Sequence, residues 1–498
     1  MLKELANTIR GCGVFVLMML SALSYNVSAQ VLGTATNYSG SRGLAVNPSL
    51  MTTSYVYADF GLNIGVSAYN DFAYLHAKDL FNLIYNGTLS DYHVNGRTYP
   101  MGFVMNKNPK YVYENLDFNV ISMMLCPKGK RAYGIFVNNR LYTSGKRIPW
   151  EIPEAAIVSI EEGDYLGKNY KSENAKIGLM AWSEVGLSYS MTVYDRYSDK
   201  FDVGMTAKGL LGYVGVALNL DDVDKDIVDK NVSVIHKLNM TAAMAGPIDY
   251  EAQFADGQLF DKNRLINGLG LGFDIGVTYT NKKDEKEHGE VKRPCTFPKI
   301  QYNWRLGVSL LDVGAIRFNK NTRTYRYFSE EDKVFDISRL EGVVNFDSMM
   351  DTLNSIFYEN PAEARGGDGF VMGLPTALSV QFDYNIYNKF YVNATWIQPV
   401  RFFEYSVSRP PQLVVEPRFE STYFDFTLPV TLYNYHRFLV GAEMRLAFLT
   451  VGTQNIFNFL RYGESYGLDV YVALKFNLYK GKCPNRVRKD ECWNANFR

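Results

Sequence analysis

Apolar and non-apolar residues alternate along this chain with a period of two, over runs longer than a soluble strand needs. Val56, Ala58, Phe60, Leu62, Ile64, Val66 and Ala68 are apolar, while Asp59, Gly61, Asn63, Gly65 and Ser67 are polar or tiny. The rhythm returns from Glu184 to Val193, from Phe201 to Lys208, from Leu269 to Tyr279, from Phe438 to Leu446 and from Leu468 to Leu478. Soluble strands usually stop at five or six residues. A strand crossing a bilayer needs about 9–11, with one set of side chains facing lipid and the other facing a lumen. The pattern therefore predicts an all-β chain, an antiparallel transmembrane β-barrel. Its polar face is rich in glycine and charge, unlike the Lys, Glu and Thr of a sandwich face in bulk water.

Strand candidates fall near 55–68, 110–125, 132–142, 180–193, 200–218, 232–244, 268–279, 302–318, 374–385, 388–398, 411–419, 423–432, 437–446, 448–454 and 467–479. Both chain ends should lie on the periplasmic side, which requires an even number, about 14 strands. One candidate is therefore superfluous. Counting back from the C-terminus gives a consistent up-and-down order to residue 302, whereas counting forward breaks between 210 and 265. The barrel is expected over 55–479, with insertions at 70–109 and 319–373 too long for turns. Asp71 to Tyr85 reads as a short helix. Phe346, Met349, Met350, Leu353, Ile356 and Phe357 are spaced for one helical face. Helices cannot lie in a barrel wall, so these pieces must enter the lumen or cap a mouth.

Residues 1–29 read as a secretory signal peptide. Lys3 and Arg10 precede the apolar run that opens at Gly13, and Val27-Ser28-Ala29 offers small residues for cleavage before Gln30. No other stretch reaches 18 uncharged apolar residues, so a barrel is the remaining way to cross a membrane. The expected location is the cell outer membrane, with its lipid as the surrounding partner. The 36 Tyr, 31 Phe and 5 Trp suit the aromatic girdles of such a barrel. The 52 basic residues are matched by 52 acidic ones, which argues against nucleic acid as a partner.

Several short elements lie in order along the chain: Arg42-Gly43-Leu44-Ala45-Val46-Asn47-Pro48, Glu184-Val185-Gly186-Leu187-Ser188-Tyr189, Gly204-Met205-Thr206-Ala207-Lys208, Gly272-Phe273-Asp274-Ile275-Gly276 and Leu311-Asp312-Val313-Gly314-Ala315-Ile316. Pro417-Arg418-Phe419, Leu428-Pro429 and Gly452-Thr453-Gln454-Asn455 complete the set. In this order they resemble a family of unknown function among Bacteroidota outer-membrane barrels, more distantly related to long-chain fatty-acid transporters. The resemblance implies about 14 strands and an N-terminal hatch over residues 30–54, carried by Arg42, Gly43, Asn47 and Pro48. Ser49 stands where the hatch element usually has Ala. A tail at 480–498 continues past the last strand and is expected in the periplasm.

Alternation directs a set of ionisable residues into the lumen: Asp59, Glu184, Lys208, Asp274, Arg305, Asp383, Glu443, Arg445, Asp469 and Lys475. Charges inside a barrel must be paired or wet. They form either a network that fills the lumen and holds the hatch, or a polar pathway. Their mixed sign gives no ion selectivity. The glycines at 268–276 sit inside a strand, so they are no dinucleotide loop. None of His76, His93, His236, His288 and His436 belongs to a catalytic or metal-ligating motif, and no cofactor is implied. Cys483 and Cys492 are close enough in the tail for a local disulfide, whereas the pairing of Cys126 and Cys295 is open. Two functions remain: a barrel passing a small or amphipathic solute past its hatch, or a non-conducting barrel subunit of a secretion, assembly or surface complex. The sequence names no solute and no partner.

Overall fold

A computed structural model describes residues 34, 36–79, 92–94, 97–99, 101–104, 106–127, 129–153, 166–229, 231–254, 260–283, 300–340, 343–460 and 463–479. The expected signal peptide, Cys295 and the tail with Cys483 and Cys492 lie outside the described residues. Cys126 is buried and unpaired.

Fourteen strands form the wall. They begin with β1 Ala58–Asn70, β2 Lys110–Leu125, β3 Arg131–Ile148, β4 Lys168–Arg196, β5 Asp199–Ile227, β6 Gly268–Lys282 and β7 Tyr302–Phe318. They continue with β8 Ala377–Tyr387, β9 Phe390–Pro399 and β10 Gln412–Glu420. β11 is made of Phe424–Thr427 and Val430–Tyr433, and β12 of Arg437–Val440 and Ala442–Leu446. β13 Leu449–Thr453 and β14 Gly467–Leu478 follow. Each strand pairs antiparallel with the next. β14 returns to β1 with Ala58 opposite Leu478, so the sheet closes and satisfies its own backbone. Tight turns at 197–198, 388–389 and 447–448 share one end, the turn end, with the start of β1 and the end of β14. Tyr197, Asn388 and Ala447 take left-handed φ there (46°, 48° and 51°). The long connections gather at the opposite loop end, apart from the one between Lys282 and Tyr302, which joins strand ends at the turn end.

The alternation expected from the sequence is the alternation of the wall. On β6, Ile275 is 60% exposed on the outside, whereas Asp274 is 4% exposed on the inside. Replacing Ile275 with Arg should cost about 2–4 kcal/mol, the usual penalty for a lipid-facing charge near the bilayer midplane. Urea unfolding in lipid vesicles measures it, and an unchanged midpoint would contradict the outward assignment.

The superfluous candidate is 232–244. Strands β4 and β5 are 29 residues each, about 95 Å at about 3.3 Å per residue. That far exceeds the apolar band, about 25 Å tall. The first half of β5 (199–212) pairs with β6, and its second half (215–227) pairs with Val232–Ala245 beyond the wall. Val232–Ala245 pairs in turn with Thr322–Ser329 and Lys333–Asp336. Its alternating pattern meets protein rather than lipid. Ile235 and Leu238 pack with Tyr325 and Tyr327, against Met350 and Phe357 of the helix Phe346–Phe357. That helix is where the apolar spacing placed it. It starts with a capping box in which Asn345 and Ser348 exchange hydrogen bonds. In the insertion after β1, Ala73–His76 is a strand rather than the start of a helix, and residues 80–91 are outside the described set.

An apolar layer lies at the loop end of the lumen, where Tyr142, Met180, Trp182, Leu210, Ile316, Phe318, Phe370, Met372 and Leu374 are mutually buried. The last strand of the 319–373 insertion, Phe370–Gly373, pairs with residues 315–318 of β7 and turns Phe370 and Met372 into this layer.

Candidate functional site

Residues 36–56 lie inside the barrel. Asn47 caps the 3₁₀ turn Pro48–Thr53, its side chain accepting from the Ser49 N–H at 2.9 Å, and Pro48 fills the first helical position where no N–H is needed. A preceding 3₁₀ turn spans Gly40–Ala45. The Asn47 amide donates to Gln381 Oε1 (3.0 Å) on β8 and to the Val277 carbonyl (3.1 Å) on β6. The Thr52 carbonyl accepts from Lys200 (2.9 Å). Two glycines of the wall make this close approach feasible. A side chain at Gly204 would run into Pro48 and Ser49, and one at Gly276 into Asn47. Towards the turn end Tyr38, Leu44, Met51 and Tyr55 bury themselves against Met124, Cys126, Ala132 and Phe136. Of the four residues singled out for a hatch, Arg42 lies 3.8 Å from Glu443 and over the Tyr471 ring, Gly43 packs against Leu50, and Asn47 and Pro48 build the turn.

All ten residues assigned to the lumen are buried. Three of them, Glu184, Lys208 and Asp274, meet in one cluster, but its centre is Asp312. The Asp312 carboxylate pairs with Arg140 (3.0 Å), Lys208 (2.6 Å) and Arg409. Arg140 also reaches Asp117 (2.8 Å) and Glu184 (3.2 Å), and Lys208 reaches Asp274 (2.8 Å). Arg140 lies over the rings of Tyr142 and Trp182, which joins this ionic layer to the apolar layer above it. A second cluster joins Arg418 to Asp383 (2.8 Å) and Glu420. Glu420 accepts from the backbone and the amide of Asn37 (3.2 and 2.7 Å), so this cluster fastens the N-terminal segment. Arg305 stacks on Tyr302 (4.1 Å) and donates to Asn37 (3.3 Å). Lys475 donates to the carbonyls of Tyr38 and Ser39 and lies 3.9 Å from Asp59, which accepts from the Ser41 N–H. Arg445 pairs with Asp425, whereas Asp469 stands apart and accepts from the Gln454 N–H (2.9 Å). Between the segment, the first ionic layer and β1, β2 and β14 a cavity of about 120 Å³ remains.

Arg140, Asp312, Arg409, Arg418 and Glu420 are absent from the ionisable set that alternation directs into the lumen, although Asp312 and Arg418 stand in the elements that carry the family resemblance. Arg140 was reachable, because it is in phase with Asn138 on a strand already recognised. Asp312 was not. Its register shifts between Phe273 and Ile275 opposite, and its φ is 53°, so the bulge turns toward the lumen a side chain that strict alternation would misplace. The local signal is one acid in the apolar run Leu310-Leu311-Asp312-Val313.

Among the described residues no group of three His, Cys, Asp or Glu is placed to hold a metal ion. His236 bridges Asp226 and Asp332 (3.0 and 2.8 Å) on the sheet beyond the wall, far in topology from the lumen clusters.

The fold and its interior define a closed antiparallel barrel that carries its own N-terminal segment as lumen filling. The chain belongs to the family of unknown function DUF5723, which matches residues 48–454. No match is found among curated proteins. Among solved structures it is similar to the toluene transporter TbuX of Ralstonia pickettii, at 8% identity and a TM-score of 0.38 over 89% of this chain and 94% of that one. It is also similar to the toluene transporter TodX of Pseudomonas putida, at 8% identity and a TM-score of 0.31 over 89% and 95%. A FadL homologue of Pseudomonas aeruginosa aligns at 8% identity and a TM-score of 0.27 over 89% and 95%.

Proposed function

We propose that this chain is an outer-membrane barrel with both ends in the periplasm, and that it passes a small or amphipathic solute when residues 36–56 shift as a hatch. One observation carries the reading. The wall closes between β1 and β14 without the segment, which is held through side-chain hydrogen bonds, such as those of Asn47 to Gln381 and to the Val277 carbonyl and that of Lys200 to the Thr52 carbonyl, and is seated above Gly204 and Gly276. A body fastened in this way can move without opening the sheet. The ionic layers supply the polar surface along its path.

A second reading is a non-conducting barrel that serves a protein complex. The long β4–β5 hairpin with Val232–Ala245 favours it, since this sheet projects past the wall as a platform. Replacing Gly204 with Val separates the two, because it removes the space for Pro48 and Ser49 without touching a charge. In planar bilayers the purified variant should conduct, whereas the parent chain stays closed or opens rarely. Silence from both, together with a stoichiometric partner co-purifying with the parent chain, would favour the second reading.

A further inference from the structure

A row of amides crosses the inner face of β1, β2 and β3. Asn63 lies opposite Asn119, Asn119 opposite Asn138, and Asn138 opposite Glu184 on β4. From its second position onward the row is linked. Asn119 donates to Asn138, and Asn138 donates to Glu184 (2.8 Å). Asn63, at the open end, makes no side-chain hydrogen bond among the described residues. It is only half-buried, although it lies in the inward phase of Asp59. The sequence explains the room it has. Its inward neighbours along β1 are Gly61 and Gly65, and Ala473 lies directly across on β14, so the adjoining positions bring no bulk to the space in front of its amide.

That space is the cavity of about 120 Å³ between the N-terminal segment and the first ionic layer, and Asn63 lines it together with Gly61, Gly65 and Ala473. Its size is a little below the roughly 150 Å³ that encloses benzene, which limits a guest to about six heavy atoms. The charges around it are already matched. Arg42 faces Glu443, Lys475 faces Asp59, and Arg140, Lys208 and Arg409 converge on Asp312. An ion entering here would have to shed its water and compete with pairs already formed. A hydrocarbon would strip water from the Asn63 amide and return nothing. The amide offers an acceptor oxygen and a donor NH2 on one planar group. Its complement is an uncharged group with a donor and an acceptor side by side, as in a primary carboxamide or a vicinal diol.

We propose that the cavity in front of Asn63 binds a small uncharged molecule carrying an adjacent hydrogen-bond donor and acceptor. It names a solute class for the barrel, and to that extent rests on the transport reading, but binding is measurable without passage. The full chain is refolded into detergent with fluoroacetamide, fluoroacetate or 3-fluoro-1,2-propanediol present throughout, so that a closed hatch does not bar entry, and bound probe is followed by fluorine NMR. Fluoroacetamide and fluoroacetate have the same shape and differ in NH2 against O⁻. At least one neutral probe should bind about tenfold tighter than fluoroacetate, the yield of roughly one matched hydrogen bond, and the tighter of the two tells amide from diol. Asn63→Leu should weaken that probe about tenfold. Asn63→Asp, which keeps the shape and exchanges the NH2 for a charge, should do the same and covers the case of a Leu variant that does not fold. Fluoroacetate binding as tightly as both neutral probes, parent-level binding by a folded Asn63 variant, or no binding of either neutral probe would each overturn the proposal. Conduction by Gly204→Val without probe binding to the parent chain would sink this site and leave transport standing. Silence of Gly204→Val in the bilayer alongside Asn63-dependent binding would do the reverse.

Discussion

Replacing Asp312 with Asn should lower the unfolding free energy of the barrel by about 3–5 kcal/mol, the usual cost of breaking a buried ion pair by removing one partner. Asn keeps the shape and tolerates the left-handed backbone of this position (φ 53°), so the change isolates charge from conformation. The three cations then fare differently. Arg140 keeps Asp117 and Glu184, and Lys208 keeps Asp274, but the carboxylate paired with Arg409 is gone. Most of the loss should therefore come from Arg409, and the double variant Asp312→Asn with Arg409→Met should recover part of it. Trp182 lies 5.0 Å from the Arg140 guanidinium, so its fluorescence reports on the layer as urea is raised. A loss below about 1 kcal/mol, the level of an exposed pair, would show that the cluster is not the structural hub of the lumen.

The period-two rhythm fixes which face of each strand meets lipid, because a slip by one residue would invert the whole face. For that reason the sequence alone directs Asp59, Asp274 and Lys475 to the inner face, where all three are buried. The same rhythm could not separate Val232–Ala245 from the wall. A strand whose apolar face meets a helix and one whose apolar face meets lipid have the same pattern, and only the length of β5 decides between them. The lumen partners were harder still. Alternation gives the direction of a side chain, not its neighbour several strands away, so Glu184 was legible and its link through Arg140 to Asp312 was not. Bulges add a second blind spot, since at Asp312 the inward phase of β7 switches from the odd positions of Arg305 and Ser309 to the even ones of Ile316 and Phe318. The Asn47-Pro48 turn was visible as a motif, but its seat over Gly204 and Gly276 required the closed sheet.

Replacing Arg418 with Met should have a comparable effect by a different route. Arg418 is buried between Asp383 and Glu420, and its removal leaves two buried carboxylates without the cation that joins them, again a cost of about 3–5 kcal/mol. Met keeps much of the side-chain volume, so the loss reports on charge more than on packing. Glu420 is also the acceptor for both the backbone N–H and the amide of Asn37, so the disturbance passes directly to the N-terminal segment. Two measurements separate wall from segment. Urea unfolding followed by Trp182 gives the overall loss, while limited proteolysis of the folded protein in lipid vesicles gives the exposure of residues 36–56. The variant should be cut within that segment at urea concentrations where the strands still resist, and the parent chain should not. Arg418→Lys should fall between them, because one ammonium cannot reproduce the two-sided fork that spans Asp383 and Glu420. If the Met variant loses stability but its segment stays as protected as in the parent chain, the Asn37–Glu420 contact is a bystander. The fastening would then reside in the Lys475 contacts to Tyr38 and Ser39 and in the Asn47 turn on β6 and β8.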